Sequence, residues 1–253
     1  MSNNKFSEAQ FFGQDFDGTI ADTLKNPAWG YGVEAATNIA IGDTLKVTDI
    51  GKLRDQGGLQ NRAPLEIIQL LRPKLNPEEQ QLLCNKLVEA KLEVLMNQIS
   101  LTWPEPMPGY ITFIEILRKK QDAGEPINDI VISSGHKKFI TKTFETTFGI
   151  KPPKIILAQE AIQRTATKYG EAMPVKPSPR LMVYAYNRWR EQHSLPGLDE
   201  INPDDLPRMR YIGDDPIKDG QMAEVSGVQY YQINPDTSKQ TWEHLSKIVQ
   251  NRL

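Results

Sequence analysis

Two carboxylates stand close together near the start of the chain, in the stretch Asp15-Phe16-Asp17-Gly18-Thr19. The residues before them, Gln10 to Gln14, predict a β-strand that ends at the first acid, and Gly18 permits a sharp turn out of it. Carboxylates at the carboxyl end of a strand lie where open α/β sheets bind their ligands. Considered alone, the stretch is equally compatible with an ordinary acidic turn, in which Asp and Gly have their usual roles.

Two serines and a lysine stand at further ends of predicted elements. Ser133 and Ser134 follow the apolar run Ile130–Ile132, so backbone N–H groups at a helix start could join their hydroxyls in an anion site. A simple serine N-cap is the alternative. Lys176 precedes a helix that Pro179 opens, and by itself it could equally be a solvated surface lysine.

A cluster of three acids, Asp214, Asp215 and Asp219, follows the apolar run Met209–Ile212. A turn alone could explain one or two of them, but three acids beside a strand end favour a bound cation. The three carboxylates together therefore predict a bound cation at this strand end.

The elements that must position these residues alternate between helix and strand from residue 110 onward, which is typical of a parallel sheet. The predicted strands are 127–132, 154–157, 209–212 and 228–233, and the predicted helices are 110–121, 137–148, 179–192, 221–225 and about 238–251, the last capped by Asp236-Thr237-Ser238. Residues 194–207 contain three prolines and are predicted to form a surface loop.

Residues 24–107 have a different pattern and predict helices, at 27–41, at 63–71 and from an N-cap at Asn76 onward. The last of these helices has an apolar stripe that is expected to be core: Leu82, Leu83, Leu87, Val88, Leu92, Leu95, Met96 and Ile99. We therefore expect an α/β core domain, residues 1–23 plus 108–253, with a helical domain inserted at residues 24–107.

The composition is that of an ordinary globular protein, since 39% of the 253 residues are hydrophobic and 25% are charged. A net charge of -2 gives no electrostatic reason to expect nucleic acid as a partner. No apolar run reaches membrane-spanning length and no signal-peptide pattern opens the chain, so no membrane partner is expected. The single cysteine, Cys84, is expected to be a small core residue and favours a cytoplasmic protein without disulfides. The oligomeric state stays open.

In this order, the four features resemble the motifs of the haloacid dehalogenase superfamily of phosphotransferases. Asp15-Phe16-Asp17-Gly18-Thr19 is similar to the first motif, Ser133 to the second and Lys176 to the third. Gly213-Asp214 with Asp219 is similar to a longer-spaced form of the fourth. The helical insertion resembles the small cap of phosphoglycolate-phosphatase-like and β-phosphoglucomutase-like members. The resemblance covers most of the chain.

The resemblance implies a Rossmann-like, doubly wound parallel sheet with an inserted small α-helical cap. It also implies a Mg²⁺-dependent phosphatase that hydrolyses a small phosphorylated metabolite through an aspartyl phosphate. Asp15 would be the nucleophile and Asp17 the general acid and base, while Ser133 and Lys176 would balance the charge of the transferring phosphoryl group. The expected phosphate-binding set also includes Ser134, Phe16 and Asp17.

For the metal, the resemblance implies that Asp15, Asp214 and the main-chain carbonyl of Asp17 bind Mg²⁺ directly. It leaves open whether Asp215 or Asp219 supports the ion. Dehalogenases of the superfamily lack a carboxylate at the position of Asp17. A phosphomutase of the same superfamily, or a non-catalytic protein that binds a phosphorylated ligand, remains as an alternative.

Some residues depart from the family pattern or have no assigned role. Gly13-Gln14 replaces the apolar residues that the family usually carries before the nucleophile, so a bulge or a local polar contact is expected there. His136 could contact substrate or be exposed at its helix start, and His193 and His244 need no role. Polar residues of the insertion could reach a leaving group or form a solvated basic loop near Gly57-Gly58: Lys52, Arg54, Gln60, Asn61 and Arg62.

Overall fold

The structure, a computed structural model, describes residues 10–23, 37–38, 64–99 and 104–251. The chain divides into two compact units, Met1–Thr23 with Glu105–Leu253, and Leu24–Pro104. The first helix predicted for the insertion and the polar residues around Gly57-Gly58 lie outside the described residues, except that residues 37–38 are helical. No helix in the described part of the chain has the length and apolar character that crossing a membrane requires.

The described elements follow one another along the chain as strands and helices. The strands are β1 (Gln10–Gln14), β2 (Ala21–Asp22), β3 (Glu105–Pro106), β4 (Ile127–Ile132), β5 (Ile155–Leu157), β6 (Met209–Gly213) and β7 (Gln229–Gln232). The helices are α1 (Pro64–Leu71), α2 (Pro77–Ile99), α3 (Tyr110–Asp122), α4 (Lys137–Thr146), α5 (Gln159–Tyr169), α6 (Pro179–Gln192), α7 (Gln221–Val225) and α8 (Ser238–Gln250).

Five strands form a sheet in the order β5-β4-β1-β6-β7, and every neighbouring pair is parallel. β1 lies at the centre, where Gly13 is opposite Ile130 of β4 and Tyr211 of β6. The chain builds β4 and β5 on one side of β1 and then crosses over to build β6 and β7 on the other. Such a reversal is a topological switch point, and α/β sheets bind ligands at its carboxyl end. The predicted Rossmann-like parallel α/β core is confirmed.

Helices cover both faces of the sheet. Successive residues of β1 point to opposite faces, so they pack against different helices. Phe11 packs edge-on against Trp189 of α6, with ring centroids 5.6 Å apart. On the other face, Phe12 packs against Phe113 of α3 at 6.1 Å. All four rings are buried. Burial of large aromatic side chains on both faces therefore holds the strand that carries Asp15.

β1 is regular at Gly13 and Gln14, so the bulge expected there is wrong. A Cβ atom on Gly13 would lie 2.7 Å from the Phe11 ring and 2.8 Å from the Tyr211 ring. Two buried aromatic rings thus fill the space that an apolar side chain would take. Gln14 is completely buried, and its amide has no hydrogen-bond partner among the described residues, so the expected polar contact is not found there.

α2 begins with the capping arrangement that its sequence predicts. Asn76 Oδ1 accepts a hydrogen bond from Glu79 N at 2.9 Å, and Asn76 N donates to Glu79 Oε2 at 3.0 Å. Each side chain thereby satisfies a backbone N–H that the first helical turn leaves unpaired. The predicted N-cap is confirmed.

The apolar stripe of α2 is only partly core. Leu87, Leu95 and Ile99 are buried, whereas Leu82 is 57% exposed and its assignment to the core is wrong. Leu82 stands five residues before Leu87, which puts it about 140° around the helix. Cys84 is half-buried against the cluster that contains Leu87, and burial raises the pKa of its thiol, which fits a small core residue.

α5 is a helix that the sequence pattern did not predict. Most of its residues are polar, and its buried face includes Ile162 and Ala166, which stand four residues apart. Gly170 ends the helix in the left-handed region at φ 66°. The four-residue spacing of Ile162 and Ala166 and the glycine at the end were the features of the sequence that could have predicted this helix.

The predicted surface loop 194–207 is confirmed for residues 194–202, which contain no helix or strand, but it is wrong from Pro203 onward, where a 3₁₀-helix, Pro203–Arg208, begins. The reason is Asp205, which is buried and accepts a hydrogen bond from the Tyr186 hydroxyl of α6. α8 is present as predicted, but its N-cap residue, Thr237, forms no side-chain capping hydrogen bond.

Candidate active site

Asp15 directly follows the central strand. Its backbone N–H donates to Ile212 O of β6 at 2.9 Å, so the ladder continues past the strand end and fixes the start of the side chain. Burial raises the pKa of Asp15 well above its usual value, Lys176 opposes the rise, and the charges of Asp219 and Asp17 add to it. Burial and two neighbouring negative charges therefore disfavour the ionised form of Asp15 in the absence of a further cation.

Lys176 lies in the loop before α6, and its ammonium stands between two carboxylates. Lys176 Nζ is 2.6 Å from Asp15 Oδ1 and 2.7 Å from Asp219 Oδ1. It is also 5.7 Å from the centroid of the Tyr211 ring, within cation–π range. Burial alone would lower the pKa of Lys176, but the two carboxylates outweigh it and leave the pKa higher than usual. The ammonium is therefore charged at neutral pH, and the predicted surface alternative is wrong.

Asp219 is 1% exposed, and both of its oxygens have partners. Oδ1 accepts from the Tyr211 hydroxyl at 3.1 Å in addition to contacting Lys176, and Oδ2 accepts from Asp215 N at 3.3 Å. Gly213 makes room for this carboxylate, because a Cβ atom there would overlap it. Asp219 is thus an anchor for Lys176 with little capacity left for other ligands.

Asp214 completes a cluster of three acids. One oxygen each from Asp15, Asp214 and Asp219 lies within 4.8 Å of the other two. Burial and the charge of Asp219 raise the pKa of Asp214 to about 6, although the Thr19 hydroxyl, which donates to Asp214 Oδ1 at 3.1 Å, opposes the rise. The single ammonium of Lys176 does not balance three carboxylates.

Asp215, unlike Asp214, caps a turn of the backbone. Its Oδ1 accepts from Ile217 N at 2.9 Å and from Lys218 N at 3.0 Å, which caps the π-helical turn Pro216–Gly220. Burial works against ionisation, but these backbone donors outweigh it and lower the pKa of Asp215. The sequence left open whether Asp215 or Asp219 supports the metal ion. Among the described residues, Asp219 lies in the acid cluster and Asp215 does not.

Asp17 stands in the turn that follows β1. Gly18 adopts φ 72°, which favours glycine, and its N–H donates to Ala21 O at 2.9 Å. A Cβ atom on Gly135 would lie 3.7 Å from Asp17 Oδ2. The Asp17 carboxylate therefore lies beside the turn that follows β4, and not within the cluster that Asp15 forms with the later acids.

Ser133 follows β4 and is buried. Its Oγ accepts from Gly135 N at 2.9 Å, which leaves the hydroxyl hydrogen free to be donated to an anion. Ser134 is exposed at the same turn. The N-cap position of α4 belongs to His136, so the simple serine N-cap is wrong. The Phe16 ring is buried against Phe139 at 6.0 Å, so only its backbone could face a phosphate.

His136 is buried, which excludes the exposed position considered for it. Its Nδ1 lies 3.2 Å from Glu160 Oε1 of α5, and Lys137 N donates to Glu160 Oε2 at 3.2 Å. Burial opposes ionisation of Glu160, but the bond with His136 and the backbone donors outweigh it and lower its pKa to about 2. This pair ties the turn after β4 to α5.

Several residues that shape the site were missed at the level of sequence. Thr19 belongs to the first motif but received no role, and it orients Asp214. Tyr211 holds Asp219, and the Tyr230 hydroxyl donates to Gly213 O at 2.9 Å. A tyrosine inside an apolar strand pattern gives no signal beyond core packing.

The two remaining histidines were expected to need no role. His193 lies near Asn128, and His244 lies near Tyr231.

Comparison with known proteins bears on the fold. No protein-family model matches the sequence, and no curated protein matches it. Among solved structures, CbbY from Rhodobacter sphaeroides, in complex with phosphate, is 15% identical with a TM-score of 0.53, and the match covers 88% of this chain and 84% of that chain. A Bacteroides fragilis protein described as haloacid dehalogenase-like hydrolase is 15% identical with a TM-score of 0.52, and the match covers 92% of each chain.

A third structure, the HAD-hydrolase YfnB from Bacillus subtilis bound to magnesium, is 16% identical with a TM-score of 0.50, and the match covers 96% of this chain and 99% of that chain. At such identities the likeness extends to the fold and no further. It nevertheless agrees with the four motifs, which were found independently of it. The chain has the fold of the haloacid dehalogenase-like hydrolases.

Proposed function

We propose that the protein is a Mg²⁺-dependent phosphatase that hydrolyses a small phosphate monoester through an aspartyl phosphate on Asp15. The observation that carries this proposal is the acid cluster at the carboxyl end of the central strand. There Asp15, Asp214 and Asp219 lie within 4.8 Å of one another, with Lys176 2.6 Å from Asp15. The structural likeness to CbbY with phosphate and to YfnB with magnesium supports the same assignment.

The donor set of the cluster suits Mg²⁺, because all of its candidate ligands are oxygens. Asp219 has both oxygens engaged, by Lys176 and Tyr211 on one side and by a backbone N–H on the other. We therefore assign the ion to Asp15 and Asp214, with the main-chain carbonyl of Asp17 as in the family motif. When bound, the ion would offset the excess negative charge and polarise a phosphoryl oxygen.

In the proposed first step, Asp15 attacks phosphorus and forms the acyl phosphate. Lys176, charged and held by Asp219, balances charge on the transferring group. We propose that the Ser133 hydroxyl donates a hydrogen bond to the same group and that Ser134 and the Phe16 backbone complete the phosphate-binding set.

Asp17 is proposed as the general acid and base. It protonates the leaving oxygen in the first step and removes a proton from the attacking water in the second. Its carboxylate lies beside the turn that contains Ser133, which is proposed to bind the phosphoryl group.

The rest of the assignment follows the resemblance. Residues 24–107 are proposed to form the small helical cap of the family, inserted in a core of residues 1–23 and 108–253. A small phosphorylated metabolite is the proposed substrate, and the reducing cytoplasm is the proposed location.

The function is tested with an activated phosphate monoester, p-nitrophenyl phosphate. We expect hydrolysis with Mg²⁺ and none in excess chelator, with activity restored when Mg²⁺ is added back. Full activity in metal-free buffer would contradict the mechanism. Turnover of no ester in a panel of phosphorylated metabolites would favour a phospho-ligand-binding protein, and interconversion of sugar phosphates without release of phosphate would favour a phosphomutase.

Asp214→Asn is expected to stabilise the metal-free protein at pH 7. A raised pKa means that the folded state binds more protons than the unfolded state between the ordinary value of 3.8 and about 6, so stability falls as pH rises through that window. The shift corresponds to about 3 kcal/mol, which partial exposure of the carboxylate reduces to about 1 kcal/mol. Urea unfolding in chelator at pH 4 and pH 7.5 measures the effect.

The matched control is Asp215→Asn, which is expected to have the opposite sign. The pKa of Asp215 is lowered in the folded state, so its ionised form stabilises the protein and its loss destabilises it above pH 4. Mg²⁺ should stabilise the wild type and the Asp215 variant but not the Asp214 variant. Equal stabilisation of all three by Mg²⁺ would contradict the assigned ligands.

Tyr211→Phe is expected to lower kcat about tenfold while KM changes little. The Tyr211 hydroxyl holds Asp219, and Asp219 in turn positions Lys176. A hydrogen bond to a charged group is worth about 1.5–3 kcal/mol, which sets the expected loss. Tyr230→Phe is the control, since its hydroxyl donates to Gly213 O and touches neither charged group. Steady-state kinetics and thermal melting of both variants separate positioning from stability. A loss of kcat that is equal in the two variants would contradict the role of Tyr211.

A further inference from the structure

A cavity of about 440 Å³ lies along the outer edge of the sheet, between β5, α5 and α6. Its floor is apolar and includes the three residues of β5 and Ala161. A second cavity, of about 220 Å³, adjoins it and shares Arg164, Arg188 and Glu191. Among the described residues, none of the acid cluster lines either cavity. The two cavities together are called the edge cleft below.

The edge cleft is basic although the chain as a whole is not, since the chain has 30 Lys and Arg against 32 Asp and Glu. The charged residues that line the cleft are Lys137, Lys154, Arg164, Lys168, Arg188 and the single acid Glu191. Arg188 already pairs with Glu191 at 3.0 Å. Within the described ranges, no carboxylate forms an ion pair with the other four cations. Their mutual repulsion would be relieved by an anion from solution.

β5 adds a backbone donor to this edge. It is an edge strand, and among the described strands it pairs with β4. Leu157 O accepts from Ser133 N at 3.0 Å, so Leu157 faces the sheet. In a parallel ladder the residue before it then presents its N–H and C=O to the opposite side. The Ile156 N–H therefore points away from the sheet, on the side of the cleft that Ile156 lines.

The dimensions favour a small molecule over a peptide. A peptide that extends a sheet needs several outward-facing backbone groups in a row, and β5 is three residues long and offers one such residue. The cations, in contrast, are distributed over two adjoining cavities that meet at Arg164 and Arg188. Lys137 and Lys154 line only the first cavity and Lys168 lines only the second, so a short chain of phosphates offers more charged contacts than a single phosphate group.

We propose that the edge cleft binds a small molecule that carries two or more phosphate groups. Arg164 and Arg188 bind phosphate oxygens through their guanidinium forks, and the lysines act as point charges on either side. The Ile156 N–H donates to one of the phosphate oxygens. The site is separate from the acid cluster and does not depend on the proposed phosphatase activity.

Isothermal titration of the full chain in chelator tests the proposal, with inorganic pyrophosphate, inorganic tripolyphosphate, ATP and inorganic phosphate as probes. We expect saturable binding of at least one of the first three, at least tenfold tighter than that of phosphate and weakened by added salt. Arg164→Gln with Arg188→Gln should weaken it at least tenfold. The control, Lys239→Gln with Lys247→Gln, removes the same charge from exposed positions of α8 and should change affinity less than twofold.

The proposal is overturned if none of the first three probes binds saturably. It is also overturned if the double arginine variant binds as tightly as wild type, or if the double arginine and double lysine variants weaken binding equally. Loss of binding in Lys176→Met instead would place the ligand in the acid cluster and overturn it too. All substituted positions of the cleft are exposed, so the fold should persist, and thermal melting checks this. If the double arginine variant does not fold, the single substitution Lys154→Gln, at an exposed position, provides the test. We expect it to bind at least threefold more weakly.

Discussion

Asp15→Asn is expected to remove phosphoryl transfer, with turnover of an activated ester falling by at least about ten-thousandfold. An amide is a poor nucleophile and a poorer Mg²⁺ ligand than a carboxylate, so one substitution removes the attacking atom and weakens the metal site. Lys176 loses one carboxylate but keeps Asp219 at 2.7 Å, so the ammonium stays in place. Rapid-quench trapping with a ³²P-labelled ester measures both turnover and the label on the protein.

Asp215→Asn is the matched control for this experiment. It makes the same chemical change to a carboxylate that caps a turn and lies outside the acid cluster. Its turnover should stay within about threefold of wild type, because the Asn amide oxygen can still cap the turn and the change touches no reacting group. Normal turnover in Asp15→Asn, or label on a residue other than Asp15, would show that the nucleophile is assigned wrongly.

The core of the fold was predictable because its signals are local. β4 and β6 are apolar runs buried in the interior of a parallel sheet, and such runs are recognisable without any knowledge of their partners. The starts of α2 and α6 were predictable from Asn76, an N-cap, and from Pro179 in the first turn. α5 has no side-chain cap and only a short buried face, so its remaining local signals, the spacing of Ile162 and Ala166 and the terminal Gly170, are weaker than those of α2 and α6.

The candidate site was predictable in its charged residues and not in the contacts that arrange them. Asp15 and Asp214 each end a recognisable strand, so their meeting at one edge follows from the parallel sheet. The choice between Asp215 and Asp219 depends on a π-helical turn that points one carboxylate inward, and no local pattern encodes that turn. Gly13 could not be explained either, because the rings of Phe11 and Tyr211 that exclude a side chain there come from two different strands.

Asp17→Asn is expected to slow turnover without removing the nucleophile. General acid–base assistance contributes about a hundredfold to ten-thousandfold, which sets the expected loss for esters with poor leaving groups. An activated ester needs little protonation of its leaving oxygen, so phosphorylation of Asp15 should persist with such a substrate. Hydrolysis of the acyl phosphate should slow, because the attacking water has lost its base. The two steps therefore respond differently to one substitution.

This difference gives Asp17→Asn a signature that a merely damaged site would not show. With p-nitrophenyl phosphate, rapid mixing should reveal a burst of released p-nitrophenol followed by slow turnover, and phosphorylated enzyme should accumulate. Because the Asp17 carboxylate lies by the turn after β4 and outside the acid cluster, its loss should leave the stabilisation by Mg²⁺ close to that of wild type. A uniform loss for activated and unactivated esters, without a burst, would contradict the acid–base role and indicate that Asp17 acts only on the geometry of the turn.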